Sequence, residues 1–449
     1  MSVLTQLPGS IEDIPVLDAT DVDRNRRLTD IVAARRSLHR HPEEGWCEFQ
    51  TTYRLVECLR KMGLKVRAGR AIVAPEAVMG RDEARVSAAL HSAREAGVPE
   101  KFLDELGGFT GCLAEIDTGR AGPVTAFRCD IDGLTVTEST DPEHRPNRLG
   151  FASCRKGFMH ACGHDAHMAV MLGVARWVKD HENELVGRIL FLFQPAEEGV
   201  KGAGAVAASG VLDEVDHLVG AHIGIHCREG ELGLFRRGLL ATTKFDVTFT
   251  GLAAHAGAFP EKGKSALSAA CAAVMMLEGI SRHSEGETRI AVGTLHAGEG
   301  RNITPERAEM QLEVRGSTAE TNNFMAERVE RILKGAAESY DVSVSIRRVG
   351  EATTLSVCEP LLAACRRAGE RVPGVRVLDI EKPAGSEDFT LLMRRVIEKG
   401  GNAAYVLYGA NHPGHHRPDF DFDEEKTLPA AYDFLREIAL ELNGKPDVL

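Results

Sequence analysis

At 449 residues, with 43% hydrophobic and 27% charged side chains, the chain has the make-up of a soluble globular protein and is too long for one ordinary core, which predicts two domains. A net charge of -12 repels nucleic acid and anionic membrane at long range, so neither is expected as a partner, while a small anionic substrate stays open. No run approaches the ~18 apolar residues of a membrane span, the start MSVLTQLPGSIEDIPVLD shows no basic-then-apolar export signal, and ten scattered cysteines fit a reduced, cytoplasmic setting.

Taken in chain order, helices are predicted from Arg26 to His39 and from Thr51 to Met62, joined by HRHPEEGWCEF. A helical excursion rich in Ala, Glu and Arg follows between Arg81 and Gly107. Short apolar runs then read as buried strands: VTAF from Val124, ILFLF from Ile189, HLVGA from His217 and, far downstream, AAYVLY from Ala403. Helical patterns separate them, notably Ala166 to Lys179. The alternation predicts an α/β fold with a mainly parallel sheet covered by helices.

Between about 241 and 351 the pattern changes. KFDVTFTG alternates as a half-exposed strand does, SALSAACAAVMMLEGISRH reads as a helix, and TRIAVGTLHAG and RAEMQLEVRG read as strands. A second helix in TAETNNFMAERVERILKGAAESY and a last strand in DVSVSIRRV complete a β-α-β-β-α-β order, the ferredoxin-like pattern. The expected organisation is therefore a first domain over 1–240, an inserted α+β domain over 241–351 and a return to the first domain over 352–449.

Ligands of open α/β sheets bind beyond the carboxyl ends of the strands. Here those ends carry chemistry. RCDIDG brings Asp130 and Asp132, QPAEEG brings Glu197 and Glu198, His222 follows HLVGA, and GANHPGHHRPDFDFDE brings His412, His415 and His416. MHACGHDAH adds Cys162, His164 and Asp165 just before a helix, whose N-terminus favours an ionised thiol. Each alone has a structural explanation. Together, separated segments deliver thiolate, imidazole and carboxylate to one sheet edge, the donor mixture of a borderline divalent metal.

Neighbouring residues leaving a strand point in different directions, so of Glu197 and Glu198 one can bind metal and the other can act as a base toward water. Glu197 as a residue that merely orients a ligand is the alternative. Rival chemistries are thin: no G-x-S-x-G elbow and no phosphate-binding glycine fingerprint stands at a strand end. Cys162 as a nucleophile, two residues from His164, is the nearest competitor.

Over about 35–425, LHRHPEEGWCEFQTT, RCDIDG, MHACGHDAH, FQPAEEG, HIG, LAAHAGAFP, GRNITP, GSEDF and HHRPDFDFDE together resemble the dinuclear zinc aminoacylase and carboxypeptidase metallopeptidases. The resemblance is to the branch with hippurate and auxin-conjugate amidohydrolases; EHRPNRLGFAS and the 81–107 excursion are most similar to those of aminobenzoyl-glutamate hydrolases. It implies a zinc-exopeptidase-like domain with an inserted lid that dimerises. It also implies two divalent ions, Zn2+ or Mn2+, bridged by Cys162, with His164 and His222 on one and Glu198 and His416 on the other. His415 beside His416 stays open as the last ligand.

Glu197 would be the general base, Asp130 would orient a ligand, and His255 would stabilise the oxyanion, reaching the site of the partner protomer. Asn302 and Arg315 would hold the substrate carboxylate. A turn role for His255 and a surface-strand role for Arg315 are alternatives, and Ser386 is expected to cap a helix opening at Glu387 and Asp388. The implied reaction is hydrolysis of an N-acyl amino acid, p-aminobenzoyl-glutamate first and an aromatic-acyl aspartate second. The implied assemblies are a homodimer, or a chain active only beside a homologous second subunit.

Overall fold

The computed structural model describes residues 11, 13–15 and 23–446, so most of the N-terminal stretch in which no export signal is read lies outside the described residues. Two compact units emerge: Met1–Arg237 with Ser356–Lys382 and Leu391–Leu449, and Gly238–Leu355 with Pro383–Thr390. The short piece Pro383–Thr390 thus groups with the second unit, although it lies within the return segment 352–449. The strands among the described residues are, in chain order, β1 (Lys65–Ala68), β2 (Cys112–Asp117), β3 (Val124–Asp130), β4 (Arg188–Gln194), β5 (His217–Ile223), β6 (Glu231–Phe235), β7 (Ala241–Thr250), β8 (Thr288–Ala297), β9 (Arg307–Gly316), β10 (Ser343–Ala352), β11 (Arg376–Ile380) and β12 (Asn402–Tyr408).

In the first unit the sheet order is β1-β2-β4-β3-β5-β12-β6-β11. Its centre, β4-β3-β5-β12, is parallel throughout. Those four strands are the apolar runs of the sequence, buried at nearly every position because helices cover both faces. The sheet is mainly parallel, as expected, and its antiparallel pairs lie on the flanks. β2 runs antiparallel to β4, β1 antiparallel to β2, and β6 antiparallel to β12. These strands are short and mixed in polarity, so no continuous apolar run announces them.

The helix His164–Asp180 is buried from His164 to Val178 and packs against Arg24–His39 and Glu424–Asn443. Gly173 permits that approach, since a Cβ there would lie 2.5 Å from Ile31 Cδ1. The helical excursion is two helices, Glu83–Glu95, capped by Asp82, and Glu100–Leu106. No helix among the described residues is long and apolar enough to cross a membrane.

The second unit has a four-stranded antiparallel sheet in the order β10-β7-β9-β8. Its core joins Phe245, Val247 and Phe249 of β7 and Met310, Leu312 and Val314 of β9 to Ala269, Ala273, Val329 and Leu333 of two helices. Alternation along β7 and β9 places those residues on one face. Ser265 caps the helix Ala266–Glu278, and a Thr318–Thr321 capping box starts Ala319–Ser339. The expected Ser386 cap is not made. Glu387 Oε1 instead accepts from Phe389 N at 3.0 Å and the Ser386 hydroxyl is left without a partner.

Candidate metal centre

The carboxyl ends of β3, β4, β5 and β12 lead into the segments that carry the candidate ligands. Cys162 Sγ lies 3.6 Å from His222 Nε2 and 3.7 Å from His415 Nδ1. His416 Nε2 lies 3.5 Å from Glu198 Oε1, and His164 Nε2 4.0 Å from the same oxygen. Of the five donor groups among the described residues whose ligand atoms all lie within 4.8 Å of one another, three are built from the expected ligands and base: Cys162 with His164 and His222, Cys162 with Glu198 and His416, and His164 with Glu197 and Glu198. The first two share Cys162. His415, packed between the rings of His412 and Phe420, touches Cys162 but belongs to none of these groups.

Hydrogen bonds fix which nitrogen each imidazole offers. His164 Nδ1 donates to the Asp132 carbonyl at 2.8 Å, and His222 Nδ1 to the Ile223 carbonyl at 2.8 Å. Both therefore turn an unprotonated Nε2 toward Cys162 and Glu198 when neutral. The nearer contact to His164 comes from Asp132. Asp130 lies 3.7 Å from His164 Nδ1, while its hydrogen bonds go to His167 Nδ1 at 2.5 Å and Arg128 Nη1 at 2.9 Å. It is fully buried and serves the arrangement of the histidines.

The loop after β4 is held in an unusual shape. Ala196 and Val200 adopt left-handed φ values of 53° and 59°, flanking the two glutamates, and Gly199 is left-handed at 85°. Non-glycine residues in that region cost about 1–3 kcal/mol each and persist only where their surroundings hold them. Ala196 N donates to Glu48 Oε1 at 2.7 Å, and Glu198 N to Asp132 Oδ2 at 2.8 Å. His416 is likewise left-handed at 61°, anchored through its N–H to the Ala161 carbonyl at 2.8 Å.

Electrostatics show what the cluster requires. Burial pushes the Cys162 thiol up, and Glu198 adds to the push. The nearness of Cys162 and of Glu198, whose Oε1 is 3.5 Å away, pushes His416 up to about 10. Burial opposes charge on His164, yet Asp130, Asp132 and Cys162 hold it well above its ordinary value. Burial drives His222 the other way, well below, helped by His167 and His415. Cys162 and the carboxylates thus draw positive charge inward. His164 Nε2 and Glu198 Oε1 are buried without a hydrogen-bond partner. A soft thiolate, imidazoles with fixed tautomers and carboxylates converging on shared points fit divalent metal.

The lid candidates lie in the second unit. His255 Nδ1 accepts from Gly257 N at 3.2 Å and Ala258 N at 3.1 Å, so its exposed ring carries the proton on Nε2. Ile303 is its partner across a bridge, and the adjoining Asn302 carbonyl accepts from Ala256 N at 3.0 Å. Arg315, on β9, is paired with Glu313 at 2.7 Å.

Asp132 is among the candidates of the RCDIDG segment, with no role given it there, whereas His167 and Glu48 escape a sequence reading as site builders. Asp132 and His167 stand inside RCDIDG and MHACGHDAH, where their spacing is the available signal. Glu48 gives none, because its role depends on a turn that brings it beneath β4.

Comparison with known proteins finds similarity along most of the chain. The sequence pattern of peptidase family M20/M25/M40 matches residues 126–441. The chain is 43% identical over 407 residues to a p-aminobenzoyl-glutamate hydrolase homolog of Haemophilus influenzae, covering 90% of this chain and 96% of that one. It is 45% identical over 402 residues to an indole-3-acetyl-aspartic acid hydrolase of Enterobacter agglomerans, covering 88% and 92%. Among solved structures, a Bacillus subtilis dinuclear metal-binding peptidase of the M20 family superposes with a TM-score of 0.65 at 26% identity, covering 93% and 98%.

Proposed function

The chain belongs to peptidase family M20/M25/M40 and is a metal-dependent amide hydrolase; from that premise we propose that it cleaves p-aminobenzoyl-glutamate to p-aminobenzoate and glutamate. The observation that carries the proposal is the pair of donor groups sharing Cys162, with Glu197 and Glu198 adjoining His164. We assign His164 and His222 to one divalent ion, Glu198 and His416 to the other, and Cys162 to both. The thiolate favours zinc, while the carboxylate and imidazoles accept manganese.

Divalent ions held by these residues would supply acidified water and a polarised scissile carbonyl. Glu197 takes the proton of the attacking water and passes it to the nitrogen of the departing glutamate. Asp132 and Asp130, with His167, keep the imidazoles in the tautomers that this requires. We assign to His255, whose Nε2–H is available to donate, the oxyanion contact in the site of the partner protomer. Asn302 and Arg315 receive the substrate carboxylate. The second unit is proposed as the dimer contact, and the reduced thiols fit a cytoplasmic enzyme in the breakdown of folate.

A second substrate reading has its own support: the relative that hydrolyses an indole-acetyl aspartate makes an aromatic-acyl aspartate the alternative. The test is p-aminobenzoate release by wild type and Glu197→Gln, each with its metal content measured. The variant is expected to keep two metals and lose activity by roughly 10²–10⁴-fold, the usual worth of a general base. Fully loaded wild type that spares the glutamate conjugate but cleaves the aspartate one selects the second reading. Activity restored only by a homologous partner selects the two-subunit enzyme.

A further inference from the structure

Behind the ligand cluster, one guanidinium joins two segments that carry ligands. Arg35, on the helix Arg24–His39, is fully buried. Its Nε donates to Asp165 Oδ2 at 3.0 Å, its Nη2 to Asp421 Oδ1 at 2.6 Å and its Nη1 to Glu424 Oε2 at 2.9 Å. Asp165 follows His164 in the first turn of its helix, and Asp421 and Glu424 follow His416 on the segment that enters the last helix. The guanidinium carbon also stands 4.0 Å from the centre of the Phe422 ring.

Besides Arg35, the turn bearing Cys162 and the loop bearing His416 meet at the bond from His416 N to the Ala161 carbonyl, at the 3.7 Å contact of Cys162 Sγ with His415 Nδ1, and where the helices His164–Asp180 and Glu424–Asn443 pack together. Arg35 adds a charged tie between the first turn of one helix and the segment entering the other. A planar fork with donors in three directions meets three carboxylates from two chain segments, which an ammonium on a flexible stem cannot reproduce. His39, one turn along the same helix, donates to the same Asp165 oxygen at 2.9 Å and stiffens that end of the tie.

We infer that Arg35 is a positioning residue for the metal centre, setting the Cys162–His164 turn and the His416 loop at the mutual angle that two ions require. The inference rests on the two-metal reading above. It concerns no contact with substrate, so its loss weakens metal assembly and kcat and leaves KM nearly unchanged.

The experiment strips the full-length protein with chelator and titrates it with Co2+, reading stoichiometry and the thiolate-to-cobalt absorption of Cys162. Wild type is compared with Arg35→Lys and Asp421→Asn, and melting is recorded on the stripped proteins. Both variants are expected to bind the second equivalent at least ~10-fold more weakly, with kcat reduced and KM within about twofold. Should Arg35→Lys fail to fold, Asp421→Asn carries the test, because its carboxylate lies at the partly open end of the tie. Lower melting temperatures with unchanged Co2+ affinity, measured well below melting, overturn the inference and leave Arg35 a plain structural residue. Wild type that takes up no Co2+ overturns the two-metal reading itself.

Discussion

The backbone N–H of Ile223 donates to His167 Nε2 at 3.1 Å, and that bond decides where the proton of His167 resides. With Nε2 occupied as an acceptor, Nδ1 must carry hydrogen, and it gives that hydrogen to Asp130 at 2.5 Å. Burial alone would raise the Asp130 pKa. His164, His167 and Arg128 outweigh it and hold the carboxylate well below its ordinary range. A main-chain bond beside His222 thereby helps keep a buried anion behind His164.

His167→Leu removes both partners at once, leaving the Ile223 N–H and one Asp130 oxygen short in a buried place. Stability of the metal-stripped protein should fall by about 3 kcal/mol, the cost of an unpaired buried polar or charged group. Metal affinity should fall ~10–100-fold, as it does when the residue supporting a ligand is lost. Urea unfolding and a zinc-chelator competition measure the two effects separately. Wild-type values in both would show that His167 is a bystander.

A second prediction concerns alkaline pH. His39 is fully buried, and burial by itself lowers its pKa, but hydrogen bonds to Asp165 and Glu138 raise it to about 9. A folded-state pKa above the unfolded value of about 6.5 means extra stability from the protonated ring. That contribution is complete below pH 6.5 or so and is lost as pH rises through about 9. Its size is of order 3 kcal/mol. His39→Gln keeps a hydrogen-bonding side chain without the charge. The difference in unfolding free energy between wild type and this variant should therefore shrink steadily across the window. A difference that stays constant from roughly pH 6 to pH 10 would show that His39 is neutral in the fold.

How far these features are legible depends on whether the physics is local. The four buried strands and the inserted β-α-β-β-α-β unit follow from apolar runs and alternation, which are properties of neighbouring residues. β1, β2, β6 and β11 carry mixed side chains and are strands because a neighbour offers an edge, so no local pattern marks them. In the same way Cys162, His164, Glu197 and Glu198 are readable as clustered donor types. The tie from Arg35 to Asp421 spans nearly the whole chain and is visible only once the fold closes. Ser386 misleads as a cap because its residue type is right for the role, while Glu387 reaches the Phe389 N–H first.

Close packing near the glutamates gives the last prediction. A Cβ on Gly45 would meet Ala196 Cα at 2.9 Å, Ala196 Cβ at 3.0 Å and Asp132 Oδ2 at 3.2 Å. Two of those atoms belong to the left-handed residue that aims Glu197, and the third to the carboxylate that holds the Glu198 N–H. Neither neighbour can yield without moving a glutamate. Gly45→Ala should therefore lower kcat by roughly 10–100-fold, the scale of a misplacement of about 1 Å at a reacting group. KM should change little. Gly204→Ala is the matched control: its Cβ would make an ordinary 3.6 Å contact with Leu391 Cδ1, so its kinetics should match wild type. Steady-state rates on both variants, with metal content determined, make the comparison. If Gly45→Ala is as active as Gly204→Ala, the loop after β4 tolerates displacement, and its strained backbone is a by-product of packing with no bearing on catalysis.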